Sequence, residues 1–128
     1  MARKNEAKFK GVQWEGQPDE KDYPAALSYL SLAFGGKRAA KTVKELRRAD
    51  VEQFKAKDIF RASDLPLLPV TNAHVEQDLK KILAGGTLSP LLLVRMPPLG
   101  KVIIADGYHR LCAVYSLDEN AVIPCKIV

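Results

Sequence analysis

Ile103-Ile104-Ala105-Asp106-Gly107-Tyr108-His109-Arg110-Leu111-Cys112-Ala113 is the stretch on which the fold turns. It starts as an apolar run, breaks at Asp106-Gly107 and resumes with helical spacing. The expected structure is a strand that feeds a helix through a glycine turn. A helix start of this kind leaves backbone N–H groups without intrahelical partners. The helix dipole then makes the spot attractive to an anion, above all a phosphate. An acid, a glycine, a phenol, an imidazole and a guanidinium surround the break, and no other stretch is as dense in polar chemistry. The residues point to binding of a nucleotide or another phosphorylated ligand.

The flanking sequence extends this unit in both directions. Ser89-Pro90 introduces a buried strand over Leu91–Val94, Pro97–Gly100 reads as a hairpin turn, and Val102–Ala105 is the strand entering the glycine break. The helix after Gly107 is expected to reach about Leu117. Asp118-Glu119-Asn120 is a turn, and Ile123–Val128 is a closing strand. Upstream, Thr71-Asn72-Ala73 can cap a helix from His74 to about Ala84. Val75, Leu79, Ile82 and Leu83 form its apolar stripe, and Gly85-Gly86 ends it. Leu65–Val70 is apolar but broken by Pro66 and Pro69, which argues against a central strand. Asp58–Ser63 reads as a helical turn capped by Asp58, and Val51–Lys57 as an edge strand. The order is that of an α+β unit, a small mixed β-sheet with packed helices.

Residues 1–50 are expected to form a basic N-terminal extension with two short helices, and residues 51–128 the domain proper. Asp22-Tyr23-Pro24 reads as a helix start, with an acid at or near the cap and proline in the first turn. That helix runs to about Phe34, where Gly35-Gly36 stops it. Lys37–Lys41 reads as a basic connector. Thr42-Val43-Lys44-Glu45 has capping-box spacing for a second helix to Ala49. Residues 1–21 read as irregular, with Trp14 the one large anchor.

At 128 residues the chain suits a single domain with a sizeable core. Eleven Lys/Arg stand against seven Asp/Glu over residues 1–50, and nine against eight over residues 51–128. The net charge of +5 therefore belongs mainly to the N-terminal part. That leaves open a nucleic-acid contact or a solvated face. Cys112 and Cys125 form no CxxC and lie in apolar periodic segments, so reduced thiols and a cytoplasmic location are expected. The basic first ten residues lead into no apolar signal-type region. Ala25–Phe34 is too short to span a membrane, so no membrane contact is expected.

Three segments in order resemble the ParB/sulfiredoxin superfamily, the nucleotide-binding domain shared by ParB partition proteins, sulfiredoxin and a free-serine kinase. Leu88-Ser89-Pro90-Leu91-Leu92-Leu93-Val94 is similar to its "PI-V" strand. Ile103–Ala113 is similar to its strand, Gly-x-x-Arg turn and helix. Ile123-Pro124-Cys125-Lys126-Ile127-Val128 is similar to its closing "IPV" strand. The match covers roughly Val51 to Val128. The resemblance implies that the Gly-x-x-Arg turn holds nucleotide phosphates, as a nucleoside di- or triphosphate with Mg²⁺. Gly107 would let the backbone approach, Tyr108, His109 and Arg110 would sit on the first helical turn, and Arg110 would grip phosphate oxygens bidentately. It also implies a phosphotransferase or nucleotide hydrolase activity.

The chain departs from the superfamily's pattern at defined places. Tyr108 stands where sulfiredoxin has its reactive cysteine, and Cys112 lies one helical turn later on the expected core face. The Asn-Pro-x-x-Pro-Arg-like box of ParB proteins reduces here to Thr71-Asn72-Ala73-His74. Sulfiredoxin chemistry and partition by clamp formation are therefore not expected. A kinase needs a carboxylate base, for which Asp106, Glu76 and Asp58 are candidates. Asp106 reads either as a catalytic base or metal-water ligand, or as a helix cap. His109 reads as a second catalytic or phosphate-binding group. Asn72, His74 and Ser89 either complete the phosphate site or serve ordinary helix and strand ends, and Tyr108 stacks on a ring or packs. The alternative function is a non-catalytic nucleic-acid-binding or protein-adaptor domain that uses the basic 37–48 segment.

Overall fold

The computed structural model describes residues 11–128. The expectation of irregular chain over residues 1–10 lies outside them. The element order is β1 (Gln13–Trp14), α1 (Asp22–Phe34), α2 (Gly36–Arg48), β2 (Val51–Lys55), α3 (Ala56–Ser63), α4 (Ala73–Leu83), β3 (Thr87–Leu88), β4 (Leu91–Met96), a 3₁₀ turn (Pro97–Leu99), β5 (Lys101–Asp106), α5 (Tyr108–Leu117) and β6 (Val122–Ile127). The class is α+β, with a four-stranded mixed sheet in the order β2-β6-β4-β5 and a two-stranded parallel ladder of β1 with β3.

The sequence of β4 dictates the layering. Leu91, Leu92, Leu93 and Val94 are all buried, a run without polar alternation. Successive strand residues face opposite sides of a sheet. Leu91 and Leu93 pack with Ile59, Val75, Ile82, Leu111 and Ile123 on the side of α3, α4 and α5. Leu92 and Val94 pack with Tyr23, Ala26, Leu30, Ala39, Val43 and Leu46 on the side of α1 and α2. Both faces are covered because β4 is apolar on both. The α1–α2 hairpin therefore forms one of the layers of the fold, although it lies N-terminal to the boundary near residue 50.

Several local expectations are corrected. Asp22 stands next to the α1 cap residue Lys21 as expected, but it is the first helical residue, makes no cap bond and is buried. The basic connector is helical: α2 starts at Gly36, and Thr42 donates its hydroxyl to the Arg38 carbonyl inside the helix instead of capping it. Capping-box spacing misleads here because Ala39, Val43 and Leu46 already supply an apolar stripe that continues upstream of Thr42. α3 starts at Ala56 with Lys55 as its cap residue, so Asp58 sits within its first turn. The segment around Leu65–Val70 is free of strand, and Asn72 caps α4 by accepting from the His74 and Val75 amides at 3.0 and 3.2 Å.

The ends of α2 and β6 are joined by a buried cation. Lys126 is 4% exposed, and its Nζ donates to the Arg47 carbonyl in the last turn of α2 at 2.9 Å. A helix C-terminus favours a cation and needs donors for its last carbonyls. Among the described residues no helix is long and apolar enough to cross a membrane.

Because both helical layers pack on one strand, unfolding is expected to be a single cooperative transition. Leu92→Ala, which empties volume beneath α1 and α2, is expected to cost about 2–5 kcal/mol. Urea titration followed by far-ultraviolet circular dichroism reads this as a lower midpoint with one transition. Two separated transitions would show the hairpin to be an independent unit.

Candidate functional site

β5 ends at Asp106 and α5 begins at Tyr108, so the expected strand–glycine–helix turn is present. Gly107 has φ 111°, a value that side-chain-bearing residues rarely adopt. A Cβ built there would lie 2.7 Å from Leu91 Cγ and 3.0 Å from Arg110 Nη2. The backbone conformation and the close approach of β4 both call for glycine. No side chain caps α5, so the N–H groups of its first turn lack the usual side-chain oxygen.

That turn opens into a polar cavity of about 160 Å³ lined by His74, Gln77, Asp78, Asp106, Gly107, Tyr108, His109 and Arg110. Two helix starts meet at it: α4 brings His74, Gln77 and Asp78, and α5 brings the rest. The His74 and His109 rings lie 4.9 Å apart between centroids. Six of the residues anticipated from the sequence thus share one cavity. Gln77 and Asp78 were missed. They follow His74 at i+3 and i+4, which puts all three on one face of α4, and that polar stripe beside the apolar one was the available signal.

Two anticipated residues take other places. Asn72 spends its side chain on the α4 cap and does not line the cavity. Ser89 is buried, and its hydroxyl donates to Asp22 and accepts the Asp19 amide at 3.0 Å. Ser89 reaches the site only through Asp22. Of the other candidate bases, Glu76 pairs with Lys80 at the surface at 3.0 Å, and Asp58 lines a separate, mainly apolar cavity beneath α3. Cys112 and Cys125 are fully buried; burial raises both thiols, Cys125 to about 12, which disfavours the reactive thiolate.

The guanidinium of Arg110 is held by two acids. Its Nη2 donates to Asp106 at 3.0 Å and to Asp22 at 3.5 Å. The side chains of Arg110, Asp22 and Asp106 are 17%, 6% and 19% exposed, so the group is largely screened from water. Asp22 comes from α1, on the opposite layer. The chain Ser89–Asp22–Arg110–Asp106 therefore ties that layer to the α5 start. Sequence reasoning missed Asp22 because an acid beside Pro24 reads as a helix cap.

Burial pushes the Asp106 carboxyl above its ordinary 3.8 and outweighs the attraction of Arg110; nearby Asp22 pushes the same way. Burial also raises Asp78. His109 lies below its ordinary 6.5, first because of burial and then because of His74. The neutral imidazole offers one N–H and one acceptor nitrogen. Tyr108 donates its hydroxyl to the Pro66 carbonyl and so pins the Leu65–Val70 segment against α5. Its ring centroid lies 5.7 Å from that of His109.

The cavity thus combines backbone N–H groups, two imidazoles and a guanidinium as donors with two carboxylates that hold protons more tightly than free ones. No family model, curated protein or solved structure matches the chain.

Two outcomes follow from this arrangement. Arg110→Met leaves Asp22 and Asp106 without their counter-charge and is expected to cost about 3–5 kcal/mol in urea unfolding. Adding Asp22→Asn is expected to recover part of that loss. Additive losses would show that the pair is not coupled. The second concerns pH. His109 has a depressed native pKa, so the unfolded chain takes up the proton first as pH falls through about 6.5. Wild type is therefore expected to lose stability between pH 7.5 and 5.5, and His109→Gln to lose less. Equal losses would exclude His109 as the source.

Proposed function

We propose that the chain is a ParB/sulfiredoxin-type domain that binds a phosphoryl group of a nucleotide or another phosphorylated ligand at the Asp106–Arg110 turn. The observation that carries this reading is the uncapped first turn of α5 opening into a cavity lined by His74, His109 and Arg110. Backbone N–H groups and a helix dipole supply a site for an anion. The imidazoles add donors at the same place. At about 160 Å³ the cavity suits a phosphoryl group, with the remainder of the ligand lying outside it.

Gly107 has the central role, because its positive φ and its close approach to Leu91 form the turn that presents the amides. His109 and His74 donate to phosphate oxygens. Arg110 acts through charge while Asp22 and Asp106 fix its plane. Asp106 is tied to Arg110 and so positions it. Asp78 lines the same cavity and has no ion-pair partner among the described residues, which makes it the carboxylate best placed to move a proton on the ligand. A nucleoside di- or triphosphate with Mg²⁺ is the ligand class that the resemblance favours.

Calorimetric titration with ATP, CTP, GTP, their diphosphates and inorganic phosphate, with and without Mg²⁺, tests the reading. Saturable binding by at least one of them is expected. His109→Gln is expected to weaken it about 5- to 30-fold, the worth of one hydrogen bond to a charged oxygen. Silence from every ligand, or unchanged binding in both His109→Gln and Gly107→Ala, would overturn it.

A further inference from the structure

The charge of this chain is concentrated on one helix. α2 carries Lys37, Arg38, Lys41, Lys44, Arg47 and Arg48 against the single acid Glu45, a net +5. The whole chain is also +5, so the remaining residues balance to zero. Helical folding orders these cations. Lys37, Lys41, Lys44 and Arg48 recur at spacings of four, three and four, which places them in one line on one face. All four are exposed, while Ala39, Val43 and Leu46 on the opposite face are buried. Among the described residues none of the four has an ion-pair partner; Arg47, off the line, pairs with Glu20 at 2.8 Å.

The N-terminal half of the line runs against the helix's own electrostatics, whereas Arg48 in the last turn accords with them. Lys37, Arg38 and Lys41 sit near the positive end of the α2 dipole, where acids are the stabilising residues, and no acid lies in that first turn. No side chain caps α2 either. Arg38 is held in place with its guanidinium 4.2 Å above the Phe34 ring. A helix made less stable by its own charges is explained when an external polyanion neutralises them.

We infer that the exposed face of α2 is a binding surface for duplex nucleic acid, contacted through its phosphate backbone and without sequence preference. Thirteen residues span about 20 Å, so the line of cations can follow a row of phosphates on a rigid helix. A duplex carries one negative charge per about 1.7 Å of its axis, which matches an uncompensated cationic line better than an isolated anion does. Single strands are recognised by stacking on exposed aromatic rings, whereas Phe34 beside this face is covered by Arg38, and Tyr23 is buried and covered by Arg47. A membrane-surface helix buries a free apolar face in lipid, whereas the apolar face of α2 is used up in the core. This surface is independent of the α5 cavity and does not rest on the phosphoryl-ligand reading.

Fluorescence anisotropy of a labelled 20-base-pair duplex of arbitrary sequence tests the inference with the full chain. With about four phosphates neutralised, log K is expected to fall with log salt at a slope of about −3 to −4, a loss of about 100-fold between 50 and 200 mM. The exposed quadruple variant Lys37→Gln, Lys41→Gln, Lys44→Gln and Arg48→Gln is expected to keep its circular dichroism and lose nearly all of that slope. A second variant with Arg3, Lys4, Lys8 and Lys10 changed to Gln is expected to bind as wild type. Absence of duplex binding at 50 mM salt overturns the inference, as does a quadruple variant that binds unchanged. Loss of binding in the Arg3–Lys10 variant alone, or tighter binding to single strands or to phosphatidylserine vesicles, overturns it as well.

Discussion

The guanidinium of Arg110, held between Asp106 and Asp22, is the constraint on which the arrangement depends. Asp106 ends β5, Arg110 lies one helical turn later in α5, and Asp22 opens α1 in the opposite layer. A buried cation with no acid would be costly, and two buried acids with no cation costlier still. The three can persist only together, so the α1 start, the β5 end and the α5 start are mutually located. Ser89, donating to Asp22, and the Asp19 amide, donating to Ser89, extend the restraint to the approach to β4.

The balance within this group is not symmetrical. Burial raises Asp106 in spite of Arg110, which means that desolvation outweighs the ion pair for that carboxyl. Asp22 is the second acid that keeps the guanidinium neutralised. The consequence for the cavity is a charge-compensated guanidinium, fixed in place behind an uncapped helix start. Asp78 and His74 face it from α4, and His109 lies beside it on α5. This is a preorganised polar recess, whose donors are held in place by the fold.

Much of this was legible in the sequence for identifiable reasons. The apolar run of β4, the Asn72 cap, and the break at Gly107 are local signals, and each specifies its element without help from the rest of the chain. His74, Asp106, Tyr108, His109 and Arg110, which line one cavity, were legible as candidates because both helix starts carry a dense set of polar side chains. Asp22 was not legible, since its partners are 67 and 88 positions away. Nor was the role of Ser89, whose hydroxyl serves Asp22. The start of α2 was displaced from Gly36 to Thr42 because a capping pattern competed with a longer apolar stripe, and the stripe prevailed through its burial on β4. The cationic line on α2 was visible as composition, but its alignment needed the helix to begin at Gly36.

The most direct test of the account is nuclear magnetic resonance of the ¹⁵N-labelled chain titrated with Mg²⁺-nucleotide and with inorganic phosphate. The account predicts saturable movement of the Tyr108, His109 and Arg110 amides together with the imidazole signals of His74 and His109. Stationary amides at the α5 start, while signals elsewhere move or none move at all, would contradict it.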